Sequence, residues 1–251
     1  MLLKTGEVHI WLLPCLQILP NTLLDFLPLE EIKRAETMNS VRRKNEWLAS
    51  RALLRACLSH YTANDSLALV FEKTEAGKPV LIKPISDYVF NLSHGPRWIA
   101  CAVARAQCIG IDIDSESRRN RTDDISKYYF HSAEQKVLQG LPDEVQRKRQ
   151  FFRYWTLKEA YIKARGTTIS SSRLHEMGFA LQEKENPEPL FDLPEGKWSF
   201  KQWYFDRDHH LSLACHWSAC DTGADTTKLQ YHFWQWHPET NQRTNFVMNE
   251  S

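Results

Sequence analysis

Gly110-Ile111-Asp112-Ile113-Asp114 closes an apolar run that begins at Cys108, and its reading decides the fold. In an extended strand successive side chains alternate faces, so Asp112 and Asp114 share one side while Ile111 and Ile113 take the other. Two carboxylates on one face of an apolar strand repel each other unless a cation lies between them. A hard divalent ion such as Mg²⁺ suits that pair, with waters and a ligand's phosphates filling its remaining positions.

Strands precede this one. Tyr88 to Leu92 and Trp98 to Val103 flank a turn at His94-Gly95-Pro96-Arg97. Leu67 to Phe71 and Val80 to Ile82 flank a turn at Glu75-Ala76-Gly77-Lys78-Pro79. Further back, Ser40 is placed to N-cap a helix running to about Tyr61, and Val8, Ile10 and Leu12 alternate as in a first strand. On the other side, Ser132 with Gln135 reads as a capping box, and a second long helix spans Asp143 to Arg165 and stops at Gly166. Gly178 to Leu181, Trp198 to Phe205 and Leu211 to Trp217 read as later strands. The segments Trp98–Val103 and Leu211–His216 are mildly similar, each following a tight turn, which points to two related halves meeting near residue 107. The expected organisation is an N-terminal subdomain over 1–107, a C-terminal subdomain over 108–219 and a polar appendage over 220–251, with Phe233, Trp234 and Trp236 folding back onto the body.

Composition narrows the class. The 251 residues are 42% hydrophobic and 25% charged, ordinary globular values, and no 18-residue apolar run suggests a membrane span. A net charge of +1 argues against coating nucleic acid. The six cysteines lack C-x-x-C spacing, so they read as reduced thiols of a cytoplasmic protein without zinc. The small net charge conceals two basic stretches. Lys33 to Arg55 and Arg147 to Arg165 hold 14 Lys and Arg but only three acids, Glu36, Glu46 and Glu159, a pattern suited to an anionic cofactor and an acidic partner.

Candidate chemistry lies in and beside those stretches. Trp155, Glu159 and Lys163 fall on one helix face at four-residue steps. They form either a surface ion pair beside a core Trp, or a third metal carboxylate beside a phosphate-neutralising lysine that Lys158 could assist. Ser93 and the backbone N–H groups around it end a strand in a turn and could receive an anion. Arg51 and Arg55 fall inside the apolar stripe of the first long helix, as a structural ion pair or as an anion site.

Taken together, the motifs Gly77-Lys78-Pro79, Phe90-Asn-Leu-Ser-His94, Gly110-Ile-Asp-Ile-Asp114 and Trp155-Thr-Leu-Lys-Glu-Ala-Tyr-Ile-Lys163 resemble the Sfp-type 4′-phosphopantetheinyl transferases. Looser matches are Arg51-Ala-Leu-Leu-Arg55 and Phe130-His-Ser-Ala-Glu134; the resemblance runs from about Glu30 to Trp217. It implies an α+β fold, a pseudo-twofold pair of similar α/β subdomains, able to act as a monomer with coenzyme A between its halves. It implies Mg²⁺-dependent transfer (Mn²⁺ being an alternative ion) of the phosphopantetheine arm to a serine of an apo acyl, peptidyl or polyketide carrier protein, releasing 3′,5′-ADP, with no nucleic acid or membrane partner. Asp112, Asp114 and Glu159 would hold the metal, Lys158 and Lys163 would steady phosphate charge, and Lys78, Pro79, Ser93, His94 and, more loosely, Arg51 would contact coenzyme A. Either Glu159 or Glu134 would accept the serine proton. Asp114 stands where many relatives carry Glu, one methylene longer, and Ser50 where relatives often have Gly. The competing classes are a D-x-D nucleotide-sugar glycosyltransferase, a metal-dependent nuclease, and a non-catalytic coenzyme A or carrier-binding module of the same fold. The helix spacing of Glu159 and Lys163 speaks against the first two.

Overall fold

The computed structural model describes residues 3–15, 20–118, 122–181, 186–217 and 229–248. The first half contributes β1 (Glu7–Pro14), α1 (Leu29–Glu36), α2 (Val41–Thr62), β2 (Val70–Lys73), β3 (Pro79–Lys83), β4 (Val89–His94) and β5 (Trp98–Ala104). The second contributes β6 (Cys108–Ser115), α3 (Thr122–Tyr129), α4 (Ser132–Gly140), α5 (Glu144–Arg165), β7 (Phe179–Ala180), β8 (Glu188–Pro189), β9 (Lys197–Phe205) and β10 (His209–Trp217). Two strands close the chain, β11 (Gln230–His237) and β12 (Gln242–Asn245). The chain divides into two compact units, 1–106 with 223–247, and 107–222 with 248–251.

The first unit carries a five-stranded sheet in the order β12-β11-β1-β5-β4. Ser40 caps α2 as expected, its side chain accepting from the Arg43 N–H, and Ala63 ends the helix in the left-handed region at φ 53°. Leu48, Ala52, Leu53 and Cys57 of α2 share a core with Trp11, Leu13, Ile99, Cys101 and Val103 of the sheet. Two expectations shift. Leu67 lies in a 3₁₀ turn over Ser66–Ala68, because the Asp65 side chain accepts from the Leu67 N–H, and the strand begins only at Val70. The C-terminal segment, expected as a polar appendage with Phe233, Trp234 and Trp236 folding back onto the body, adds two strands to this sheet. β11 runs parallel to β1 with His9 opposite His232, and Trp236, 1% exposed, belongs to the core. Phe233 and Trp234 are half-buried beside it, and residues 220–228 lie outside the described residues.

In the second unit β10 is central between β6 and β9, antiparallel to both. The 22-residue α5 packs on this sheet and ends at Gly166, φ 65°, whose N–H caps the last turn. Each unit thus places one 22-residue helix against a sheet in which an interior strand, β5 or β10, is one of the two self-similar segments. The capping box of α4 sits one residue earlier than its sequence suggests. His131, rather than Ser132, is the N-cap: its ring accepts from the Ala133 N–H, while Glu134 accepts from the His131 N–H. Among the described residues no helix is long and apolar enough to cross a membrane.

Candidate functional site

The crossing of α5 over β6 positions the acidic site. Gly110 faces the backbone of Ala160 and Ala164; a Cβ built on it would lie 2.0 Å from the Ala160 carbonyl oxygen and 2.4 Å from the Ala164 nitrogen. Only a residue without a side chain lets helix and strand approach so closely. One turn earlier, Thr156 Oγ1 meets Ser212 Oγ at 2.7 Å, and Gln202 Nε2 donates to the same hydroxyl at 3.0 Å. Helix and sheet are thereby locked in register, with Glu159 and Lys163 flanking the small-residue contact and Asp112 and Asp114 following Gly110 on the strand.

Lys163 Nζ lies 2.6 Å from Asp112 Oδ1, an ion pair with its acid almost buried. Asp114 is 2% exposed, and both of its oxygens are engaged: Oδ1 accepts from the Ser115 N–H at 2.9 Å and Oδ2 from Arg118 Nη1 at 3.0 Å. Burial first, and then the neighbouring Asp112 charge, raise the Asp114 carboxyl above its usual range, against the pull of Arg118. Glu159 is pushed up to about 7 by burial, then by Asp112, with Lys163 opposing and Asp114 adding to the push. Asp112, Asp114 and Glu159 carry hard oxygen donors, the type a divalent cation takes. Among the described residues no three His, Cys, Asp or Glu side chains already converge on a common metal position. In this state Lys163 and Arg118 serve as counter-charges.

Lys158 and Glu134 are brought to each other. Lys158 Nζ is 2.9 Å from Glu134 Oε2, and both side chains are fully enclosed. The ammonium also donates to the Leu174 and Met177 carbonyls, which uses its three protons and leaves none for a substrate phosphate. Glu134 Oε1 accepts from the Phe179 N–H, so this carboxylate ties α4, α5 and β7 together. The Lys158 assistance expected from its place beside Glu159 does not follow, because one helical step of 100° turns it into the core.

The remaining expected residues belong to the first unit. Ser93 is buried and His94 exposed at the end of β4, which pairs with β5 through His94 and Ile99. Lys78 and Pro79, both half-buried, lead out of the Gly77 turn, where φ is 81°. Arg51 and Arg55 resolve as the ion pair. Both guanidiniums hold Glu31, Arg51 Nε at 3.0 Å and Arg55 Nη2 at 3.0 Å, and Arg55 also donates to the Ser66 and Leu69 carbonyls. Arg51 and Pro79 line one wall of a cavity of about 630 Å³ with Trp47 and Phe71. Glu31 and Arg118 escaped the reading of the sequence. Arg118 stands four residues after Asp114, a spacing that has meaning only once the strand is known to end at Ser115.

Fold and site define an α+β protein with an acid-and-lysine centre built where a Gly-bearing strand meets a long helix. A sequence profile described as the 4′-phosphopantetheinyl transferase superfamily matches residues 108–214, and one described as 4′-phosphopantetheinyl transferase, N-terminal, matches 19–106. The 4′-phosphopantetheinyl transferase HetI of Nostoc sp. is 34% identical over 189 residues, 73% of this chain and 78% of that protein. A 4′-phosphopantetheinyl transferase of Bacillus subtilis is 34% identical over 163 residues, 64% of this chain and 69% of that protein. A solved holo-(acyl-carrier-protein) synthase from Bacillus anthracis, in complex with CoA (3′,5′-ADP), aligns with a TM-score of 0.38 and 20% identity, covering 44% of this chain and 96% of that one. The chain belongs to the 4′-phosphopantetheinyl transferase superfamily.

Proposed function

We infer that this chain transfers the 4′-phosphopantetheine arm of coenzyme A to a serine hydroxyl of an apo carrier protein, with 3′,5′-ADP as the leaving product. Family membership supports the reaction. The observation that carries it on this chain is the gathering of Asp112, Asp114, Glu159 and Lys163 at one strand–helix crossing. Asp112, Asp114 and Glu159 would hold Mg²⁺, and the donor chemistry fits. When bound, such an ion neutralises charge on the pyrophosphate.

The protein's own groups supply the rest. In the transfer, the serine oxygen forms a bond to the β-phosphorus and the bridging P–O bond to the ADP portion breaks. Lys163, half-exposed on α5, offers an ammonium to phosphate oxygens that gain charge as that bond breaks. Glu159 is assigned to accept the serine proton, directly or through a water; its rise to about 7 belongs to the ion-free site, and a bound cation would lower it. Glu134 is less suited to that task, because its oxygens are committed to Lys158 and two backbone N–H groups. Lys78, Pro79, Ser93 and His94 are assigned to the nucleotide end of coenzyme A.

The test is mass spectrometry of several apo carrier proteins after incubation with the protein, Mg²⁺ and coenzyme A. A phosphopantetheine adduct on at least one carrier is expected, lost in Asp112→Ala and Glu159→Ala variants that keep the wild-type circular dichroism. Absence of adduct on every carrier would overturn the assignment.

A further inference from the structure

Arg118 has no role in the reaction as derived so far, yet it is the charged group most directly attached to the acidic site after Lys163. Its Nη1 sits 3.0 Å from Asp114 Oδ2, and half of its side chain is exposed while Asp114 is buried. The other oxygen, Oδ1, is already taken by the Ser115 N–H. Each carboxylate oxygen keeps a second lone pair, but a divalent cation arriving at Asp114 meets a guanidinium already at Oδ2, and two like charges crowded on one carboxylate repel, so the two compete for it. The pairing is local: residues 114 and 118 lie on either side of the strand end, so the arginine can swing without moving the sheet. Lys163 is in the corresponding position on Asp112, from the helix side. The carboxylates thus have a resident cation on each of the two strand aspartates.

We propose that Arg118 is a resident counter-cation of this site: it occupies Asp114 Oδ2 until a divalent ion takes that oxygen, and the displaced guanidinium then faces the phosphates of the ligand bound with the ion. This rests on the transferase reading for the identity of the ligand, but the competition for Asp114 does not. The arrangement gives an ion-free site in which two of the three carboxylates already have a cation, which reduces their mutual repulsion. It also supplies a planar donor fork suited to phosphate oxygens at the moment the ion arrives. Arg118 is in this sense a positioning residue for Asp114 and a ligand contact only in the loaded state.

Two measurements test it. In the first, Mg²⁺ alone is titrated against thermal unfolding of the full chain. Arg118→Ala is expected to lower the half-saturating Mg²⁺ concentration roughly two- to fivefold, the size of a partly exposed ion pair removed from competition. Arg118→Lys, which keeps a charge, is expected to fall between. In the second, the KM for coenzyme A is expected to rise about tenfold or more in Arg118→Ala, with kcat within twofold, as a charge-assisted phosphate contact is lost. An unchanged or raised Mg²⁺ midpoint overturns the competition, and an unchanged KM overturns the handover to phosphate. If the wild type binds Mg²⁺ but transfers nothing, the transferase reading falls, and the Mg²⁺ titration still decides the competition.

Discussion

Substituting Gly110 by Ala tests the architecture and the site at once. The added methyl would lie 2.0 Å from the Ala160 carbonyl oxygen, about 1.4 Å inside ordinary contact, and 2.4 Å from the Ala164 nitrogen. Both opposing atoms are backbone, so no rotamer change relieves the clash; α5 must move off β6 by on the order of 1 Å. Overpacking of this kind costs about 1–3 kcal/mol, and the rigid partners place it near the upper end. The gain from replacing a strand glycine, roughly 0.5–1 kcal/mol, offsets part of that. A net loss of about 2 kcal/mol corresponds to a Tm lower by roughly 4–8 °C for a chain of this size. The effect on function should exceed the effect on stability. Displacing α5 carries Glu159 and Lys163 away from Asp112 and Asp114, and a misplacement near 1 Å can cost about 100-fold in rate. The assay pairs urea unfolding with initial rates of carrier modification, at a temperature where the variant is fully folded. The double variant Gly110→Ala, Ala164→Gly should recover little, because trimming a side chain leaves the backbone contacts in place. Wild-type Tm and rate in Gly110→Ala would refute the strand–helix crossing as the feature that assembles the site.

Two more outcomes follow from the first unit. Glu31→Ala leaves the Arg55 guanidinium, 4% exposed, without its counter-charge, held by the Ser66 and Leu69 carbonyls and the Phe71 ring, and removes the carboxylate that Arg51 shares; urea unfolding should show a loss of about 3 kcal/mol, and a loss below about 0.5 kcal/mol would contradict the pair's structural role. His9 is fully buried, donates to or accepts from Tyr61 Oη at 2.7 Å, and is lowered to about 4, by burial first and then by His232. Because the unfolded chain binds this proton at higher pH than the folded chain, stability is intact above about pH 6.5 and falls on acidification toward pH 4, by up to roughly 3 kcal/mol from this residue. His9→Gln should flatten the pH dependence of unfolding in that window, and an unchanged slope would remove His9 as its source.

The sequence by itself located the two long helices and the strands beside them, and marked Asp112, Asp114, Glu159 and Lys163 as candidates. Alternation puts Asp112 beside Asp114, and four-residue spacing puts Glu159 beside Lys163, because strand and helix geometry act over neighbouring residues. Ser40 and Gly166 bound the two long helices for the same local reason. What only the tertiary structure decided is where each charge goes. Counting along the chain gave two basic stretches free for an anionic ligand. In the fold Arg51 and Arg55 belong to Glu31, 20 and 24 residues away, and Lys158 belongs to Glu134. Lys163 remains at the site, paired with Asp112 across 51 residues. The final strands follow the same logic: β11 is polar enough to read as an appendage, yet parallel pairing with β1 makes Trp236 core. Partners chosen by burial depend on which distant groups the chain brings together, and a buried charge accepts only the partner the packing supplies.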